Sequence, residues 1–134
     1  MTEEDQALID EAKRVREFAY APYSHFAVGA ALRTKDGKVY SGCNIENSAF
    51  PMTVCAERTA VYKAVSAGER DFDAIAIVAD TPEPTRPCGT CRQVLAEFGV
   101  SKIIMHNMSG ETEISTLKEL LPGAFSKEDM IDAE

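Results

Sequence analysis

Three cysteines and one carboxylate carry the chemistry that this sequence offers. They fall in two short stretches, Cys55-Ala56-Glu57-Arg58 and Pro87-Cys88-Gly89-Thr90-Cys91. Cys88 and Cys91 stand at the C-x-x-C spacing with which two thiolates grip one metal ion. Cys55 offers a third sulfur, and Glu57 follows it by two residues. Three protein ligands with a carboxylate alongside make a zinc site with an open position, where water is bound and activated. Glu57 lies too close along the chain to Cys55 to be a comfortable fellow ligand. It is better placed to take a proton from that water and pass it to a substrate nitrogen. Three thiolates overcompensate a dication, and surplus negative charge weakens a Lewis acid. Arg58, one helical turn beyond Cys55, is therefore expected to donate hydrogen bonds to the sulfurs. Gln93, just past Cys91, is a weaker candidate for the same part.

Other readings of these residues stand beside that one. C-x-x-C alone also fits a redox pair or half of a structural zinc knuckle. Cys43 could complete a closed four-cysteine site, although it reads better as a buried free thiol ending a strand. A glutamate near a helix start is often simply solvated. The whole set favours the open site, because both cysteine groups fall where helices are expected to begin. The positive end of a helix dipole stabilises thiolates there.

The elements that must position these residues are legible from periodicity. Apolar residues Leu8, Ile9, Ala12, Val15 and Ala19 recur at the helical period, which predicts a helix over 3–20, capped by Thr2 or a neighbour and stopped by Pro22. Runs over 26–33 and 39–43 flank Asp36-Gly37 and read as a β-hairpin. The stretch 44–53 reads as a loop, and 54–67 as a buried helix ending at Gly68. Ala74 to Ala79 is a continuous apolar run, suited to a strand covered on both faces. A proline-rich loop over 80–87 precedes a helix over 88–98, a strand over 103–105, a strand over 112–115 and a short helix over 117–121. The order α-β-β-α-β-α-β-β-α implies a sheet with helices on both faces, its last strand pair antiparallel through the turn at Gly110. A single domain spanning 1–134 follows, with a peripheral acidic tail from Glu128 to Glu134.

Bulk properties narrow the partners. With 22 acidic against 14 basic residues the net charge is −8, which disfavours a nucleic-acid backbone. The acidic start Met1-Thr2-Glu3-Glu4-Asp5 lacks the basic and apolar regions of a signal peptide. No apolar run reaches membrane-spanning length. A cytoplasmic protein with reduced thiols and a small-molecule substrate is the resulting expectation.

At these residues the sequence resembles the cytidine deaminase family, in its small, zinc-dependent, homotetrameric form. The likeness runs through Tyr23-Ser24-His25-Phe26-Ala27-Val28-Gly29-Ala30-Ala31, Asn44-Ile45-Glu46-Asn47, the two cysteine motifs extended to Thr59-Ala60 and Arg92-Gln93, and Leu120-Leu121-Pro122-Gly123-Ala124-Phe125. It implies a three-layer α/β/α fold with a five-stranded mixed sheet. It implies one zinc ion per subunit on Cys55, Cys88 and Cys91, with Glu57 as the proton shuttle. Asn44 and Glu46, with Ile45 between them, would meet the ribose hydroxyls. Phe26 would pack on the nucleoside, backbone at Ala56 would hold the pyrimidine carbonyl, and Phe125 would enter a neighbouring subunit's site. The implied reaction, in pyrimidine salvage, is attack of zinc-activated water on C4 of cytidine or deoxycytidine, yielding uridine or deoxyuridine and ammonia. A deaminase of aminonucleoside antibiotics, of the blasticidin type, is the nearest rival, and Asn44-x-Glu46 argues against it. Two positions depart from the family pattern: Phe50 replaces a common tyrosine, and Arg86 stands where a small residue is usual, expected here to face solvent.

Overall fold

A computed structural model describes residues 1–131. The last three positions of the acidic tail lie outside the described residues, and Glu128 to Met130 before them are exposed. Five strands form one mixed sheet in the order β2-β1-β3-β4-β5. They are β1 (Val28–Thr34), β2 (Val39–Cys43), β3 (Phe72–Ala79), β4 (Lys102–Asn107) and β5 (Thr112–Thr116). β1 pairs antiparallel with both β2 and β3, β3 pairs parallel with β4, and β4 pairs antiparallel with β5. The helices are α1 (Glu3–Arg16), α2 (Ala56–Ser66), α3 (Gly89–Glu97), α4 (Leu117–Leu120) and α5 (Lys127–Ile131).

The alternation of side chains along the strands divides the core into two layers. Ala31, Ala74, Ala76, Val78 and Ile104 meet Leu8, Ile9 and Ala12 of α1. Ala30, Leu32, Ile75, Ile77, Ile103 and Met105 point the other way and meet α2 and Leu95 of α3. β3 is buried almost throughout, as its unbroken apolar run requires. The α1 face is lined largely by alanine, so that helix sits close to the sheet. A Cβ built on Gly29 would stand 1.9 Å from the Ala12 carbonyl oxygen, and one on Gly42 would stand 2.6 Å from the Ala60 nitrogen. Absence of a side chain at these two strand positions is what lets α1 and α2 dock.

The sequence placed α1 over 3–20, but the helix ends at Arg16. Long-range bonds win over local periodicity there. Arg16 Nε donates to the Ala27 carbonyl at 3.0 Å, and Tyr20 N donates to the Asn44 carbonyl at 3.0 Å, so 17–27 is drawn across the sheet end. The expected loop over 44–53 holds a 3-10 turn at Phe50–Met52 and two isolated bridges through Ile45. The short α5 leaves no signal in the sequence, because the charged composition of 127–131 carries no apolar period.

The start of α1 is anchored through a buried charge. Asp5 is fully buried and closes a capping box with Thr2. It accepts from Lys102 Nζ at 2.6 Å and from Arg33 at 3.2 Å, tying the helix to β4 and β1. Burial raises its pKa, but the bonds from Lys102, the Thr2 amide and Arg33 outweigh burial and bring it to about 2. The folded value lies below the 3.8 of an unperturbed aspartate. Ionised Asp5 therefore stabilises the fold above that value, and the contribution is lost as pH falls through about 2.

Two outcomes are expected. Asp5→Asn lowers unfolding free energy at neutral pH by about 3 kcal/mol, and flattens the acid limb of stability in urea titrations at successive pH values. Gly29→Ala, by forcing α1 off β1, costs about 3 kcal/mol in the same assay.

Candidate active site

Cys55 is the N-cap of α2, in extended conformation, and Cys88 is the N-cap of α3. Cys91 lies in the first turn of α3 and is buried. The Cys88 sulfur accepts from the Cys91 amide at 3.4 Å, a capping bond made by sulfur. The two helix starts converge because the loop before Cys88 is pinned to the end of β4. Thr85, buried, places its hydroxyl 3.2 Å from the His106 carbonyl, and Asn107 Nδ2 donates to the Pro82 carbonyl at 3.3 Å. Arg92 locks the other side by donating to the carbonyls of Pro87 at 2.9 Å and Leu120 at 2.8 Å.

The three sulfurs all lie within 4.8 Å of one another, with 3.8 Å between Cys55 and Cys88. A disulfide needs about 2.05 Å, so these thiols are free. Tetrahedral ligation at about 2.3 Å per zinc–sulfur bond separates two sulfurs by roughly 3.8 Å. The donor set therefore fits a zinc ion. Its electrostatics agree. The neighbouring Cys91 thiol foremost, then Arg58 and Cys88, hold the Cys55 thiol down at about 5 against burial. The nearness of Cys55 and burial push Cys91 up. Three sulfurs this close do not all ionise without a cation among them. Among the described residues no other group of three metal-capable side chains is gathered. Cys43 stays outside it, half-buried on β2 opposite Gly29, its thiol pushed up by burial. The closed four-cysteine alternative is left without its fourth ligand.

Glu57 is 5 % exposed at the start of α2. Burial pushes its carboxyl up to about 7; a bond from its own backbone opposes this and the Cys55 thiolate adds to it. Arg58 donates from its terminal nitrogen to Cys55 Sγ at 3.7 Å, while its Nε is buried without a partner. Gln93 is corrected. It is exposed, and its amide donates to the Phe125 carbonyl at 2.6 Å rather than to a sulfur. Residues two apart on a helix do not share a face, so Gln93 turns away from Cys91. Arg86 lies at the surface in an ion pair with Glu113 at 3.2 Å.

The segment Asn44 to Glu46 is stitched directly to this centre. Ile45 N donates to the Val54 carbonyl at 3.0 Å and Val54 N donates back at 2.9 Å, one residue before Cys55. Asn44 is buried; it donates from Nδ2 to the Phe26 carbonyl at 2.7 Å and accepts from Val28 N at 2.9 Å. Glu46 accepts from the amides of Tyr23 at 3.0 Å and Ser24 at 3.1 Å and from the Ser24 hydroxyl. Those bonds lower its pKa, the Ser24 hydroxyl most, and keep it ionised. Glu46, Tyr23, Ser24, Phe50 and Thr53 line a cleft of ≈ 450 Å³. Phe26, Ile45 and Phe125 are exposed, at 42 %, 43 % and 60 %. Ala56 is fully buried at the first position of α2, where its N–H has no intrahelical acceptor. Sequence reasoning missed Tyr23 and Ser24 as partners of Glu46. Their contact spans more than twenty residues and leaves no periodic signal.

A mixed five-stranded sheet that gathers three cysteines and a buried glutamate at two helix starts defines a zinc-dependent hydrolase. The family model for the cytidine and deoxycytidylate deaminase zinc-binding region matches residues 2–107. The cytidine deaminase of Sporosarcina psychrophila is 59% identical over 127 residues, 93% of each chain. The crystal structure of cytidine deaminase from Burkholderia pseudomallei superposes with a TM-score of 0.88 at 50% identity, covering 93% of this chain and 100% of that one. The blasticidin-S deaminase of Bacillus cereus is 33% identical over 135 residues, covering 95% of this chain and 96% of that one. This chain belongs to the zinc-dependent cytidine deaminase family.

Zinc content separates the cysteines. Cys55→Ala abolishes stoichiometric zinc measured by atomic absorption, whereas Cys43→Ala retains it. Arg58→Gln keeps the metal and lowers turnover about tenfold, the scale of losing one charge-assisted bond to a ligand; unchanged turnover would remove Arg58 from the charge balance.

Proposed function

We propose that the chain acts as a cytoplasmic, single-domain enzyme of pyrimidine salvage. It hydrolyses cytidine and deoxycytidine to uridine and deoxyuridine with release of ammonia. The observation that carries this reading is the three-sulfur cluster beside buried Glu57, with Asn44 and Glu46 laced to the residue before Cys55. No helix among the described residues is long and apolar enough to cross a membrane.

Cys55, Cys88 and Cys91 would hold one zinc ion, whose Lewis acidity, when bound, makes water a competent nucleophile at neutral pH. Glu57 takes the proton that water gives up and delivers it to the ring nitrogen beside C4. It then carries a second proton to the departing amine, so that water and cytidine become uridine and ammonia. Its burial keeps bulk water from competing for those protons. The N–H of Ala56 holds the pyrimidine carbonyl, and Phe26 packs on the nucleoside.

A count of hydrogen-bonding valences says what Asn44 and Glu46 bind. A carboxylate offers about four acceptor sites. Oε1 of Glu46 is filled by two amides and Oε2 is half used by the Ser24 hydroxyl, leaving one acceptor. One Nδ2 hydrogen of Asn44 is spent on Phe26 and one of the two Oδ1 lone pairs on Val28, leaving one donor and one acceptor. The free acceptor of Glu46 beside the free donor of Asn44 suits a hydroxyl, which donates to one and accepts from the other. The 3′-hydroxyl, common to cytidine and deoxycytidine, fills that role, and both are substrates. An ionised Glu46 and a net charge of −8 favour the nucleoside over its phosphate.

The subunits are proposed to assemble as a homotetramer, with Phe125 of one copy entering the site of another. Exposed Phe18, Phe50, Met52 and Phe125 provide apolar surface for such contacts. The likeness to a blasticidin-S deaminase keeps a second substrate in view. Asn44-x-Glu46, built for a ribose hydroxyl, favours cytidine over that antibiotic.

Zinc-loaded protein is expected to convert the ultraviolet spectrum of cytidine into that of uridine while releasing one ammonia per nucleoside, and to turn over cytidine faster than blasticidin S. Glu57→Gln lowers kcat by about a thousandfold with zinc content intact. Absence of any spectral change with fully loaded wild-type protein sinks the reading.

A further inference from the structure

The turn at Tyr23 to Phe26 is not accounted for by the site residues alone. His25 there is the one non-glycine residue with positive φ among the described residues, at 59°. That conformation costs a side-chain-bearing residue roughly 1 kcal/mol or more, and is kept only where surrounding bonds enforce it. His25 is exposed, so packing of its ring does not explain the strain. The bonds around it do. His25 N donates to the Ala21 carbonyl at 2.9 Å, closing a tight turn. This turn presents two successive amides, Tyr23 N and Ser24 N, to the same oxygen of Glu46. Reversal of the chain at His25 brings Phe26 N back to the Ser24 hydroxyl at 3.1 Å. Because that oxygen accepts from Phe26, its single proton is directed at Glu46 Oε2. The next carbonyl, that of Phe26, accepts from Asn44.

We propose that Ser24 is a positioning residue for the nucleoside's sugar: within the left-handed turn at His25 its hydroxyl fixes the Glu46 carboxylate so that one oxygen lone pair faces the substrate hydroxyl. This rests on the reading that Glu46 and Asn44 meet the sugar. Without the Ser24 hydroxyl, Oε1 keeps its two amides but Oε2 loses the donor that occupies one of its lone pairs, so the carboxylate tilts about Oε1 and no longer offers one oriented site. The bond that suffers is to the sugar, not to the reacting ring. The defect therefore belongs in substrate affinity, and depends on the hydroxyl being present. The turn also links both sugar-binding side chains through consecutive residues, so Glu46 and Asn44 are set as one unit.

The test compares zinc-loaded wild type, Ser24→Ala, Ser24→Thr and His25→Val on cytidine, deoxycytidine and 3′-deoxycytidine. Ser24 is exposed, so these substitutions leave the core intact. Ser24→Ala is expected to raise KM for cytidine and deoxycytidine about tenfold, the loss of one bond to a charged group, with kcat changed by less than about twofold. On 3′-deoxycytidine the KM penalty shrinks to about twofold or less. Ser24→Thr, which keeps the hydroxyl, restores affinity. His25→Val, which disfavours positive φ, reproduces the Ser24→Ala pattern. An equal KM penalty on all three nucleosides, a fall confined to kcat, or no effect on any of them would each overturn the proposal. If instead wild type fails to turn over cytidine, the functional reading itself falls, a result distinct from any of these.

Discussion

Three sulfurs held within 4.8 Å of one another are the constraint on which the rest of the molecule depends. Such a cluster is electrostatically costly, since each thiolate opposes the next. The fold meets that cost with two helix N-termini aimed at one point and a guanidinium against Cys55. Both devices need exact relative placement of α2 and α3. The parallel pairing of β3 with β4 supplies it, because the loop leaving β3 is tied by Thr85 and Asn107 to the end of β4. The sheet sets the distance between the helix starts, and the helix starts set the sulfurs.

Glu57 depends on the same arrangement. Its position two residues after Cys55 makes proximity to the sulfur cluster inevitable, but proximity alone leaves a carboxylate solvated. Burial against the sheet raises its pKa to about 7, in the range where a group both takes and returns a proton at neutral pH. The alanines of α2 and the bare strand position at Gly42 let that helix sit deep enough to bury it. Packing of small residues away from the cluster thus reaches the Glu57 carboxylate.

On the opposite side, the Tyr20 to Phe26 segment joins Asn44 and Glu46 to the cysteine cluster through backbone bonds. Tyr20 bridges to Ile45, Ile45 bridges to Val54, and Val54 precedes Cys55. A displacement of any of these segments moves Asn44, Glu46 and the three cysteines together. This explains why α1 stops at Arg16: continuing the helix would remove Tyr20 from that ladder.

The residue types and spacings alone determined the succession of the five strands and the helices between them, the two-faced sheet and the four residues gathered at the candidate site. These are local signals: C-x-x-C spacing, helical and strand periods, and turn residues at Asp36-Gly37 and Gly110. They persist in the sequence because ligand identity and amphipathic period are covalent facts. What only the tertiary structure decided were the relations between distant segments. Cys43 stands apart from the sulfurs, Gln93 turns to Phe125, and Ser24 rather than any neighbour of Glu46 in sequence orients that carboxylate. Each of these rests on bonds or packing between residues far apart along the chain. Neither periodicity nor motif spacing records such bonds, since many distant partners satisfy the same local pattern and only the folded geometry selects one.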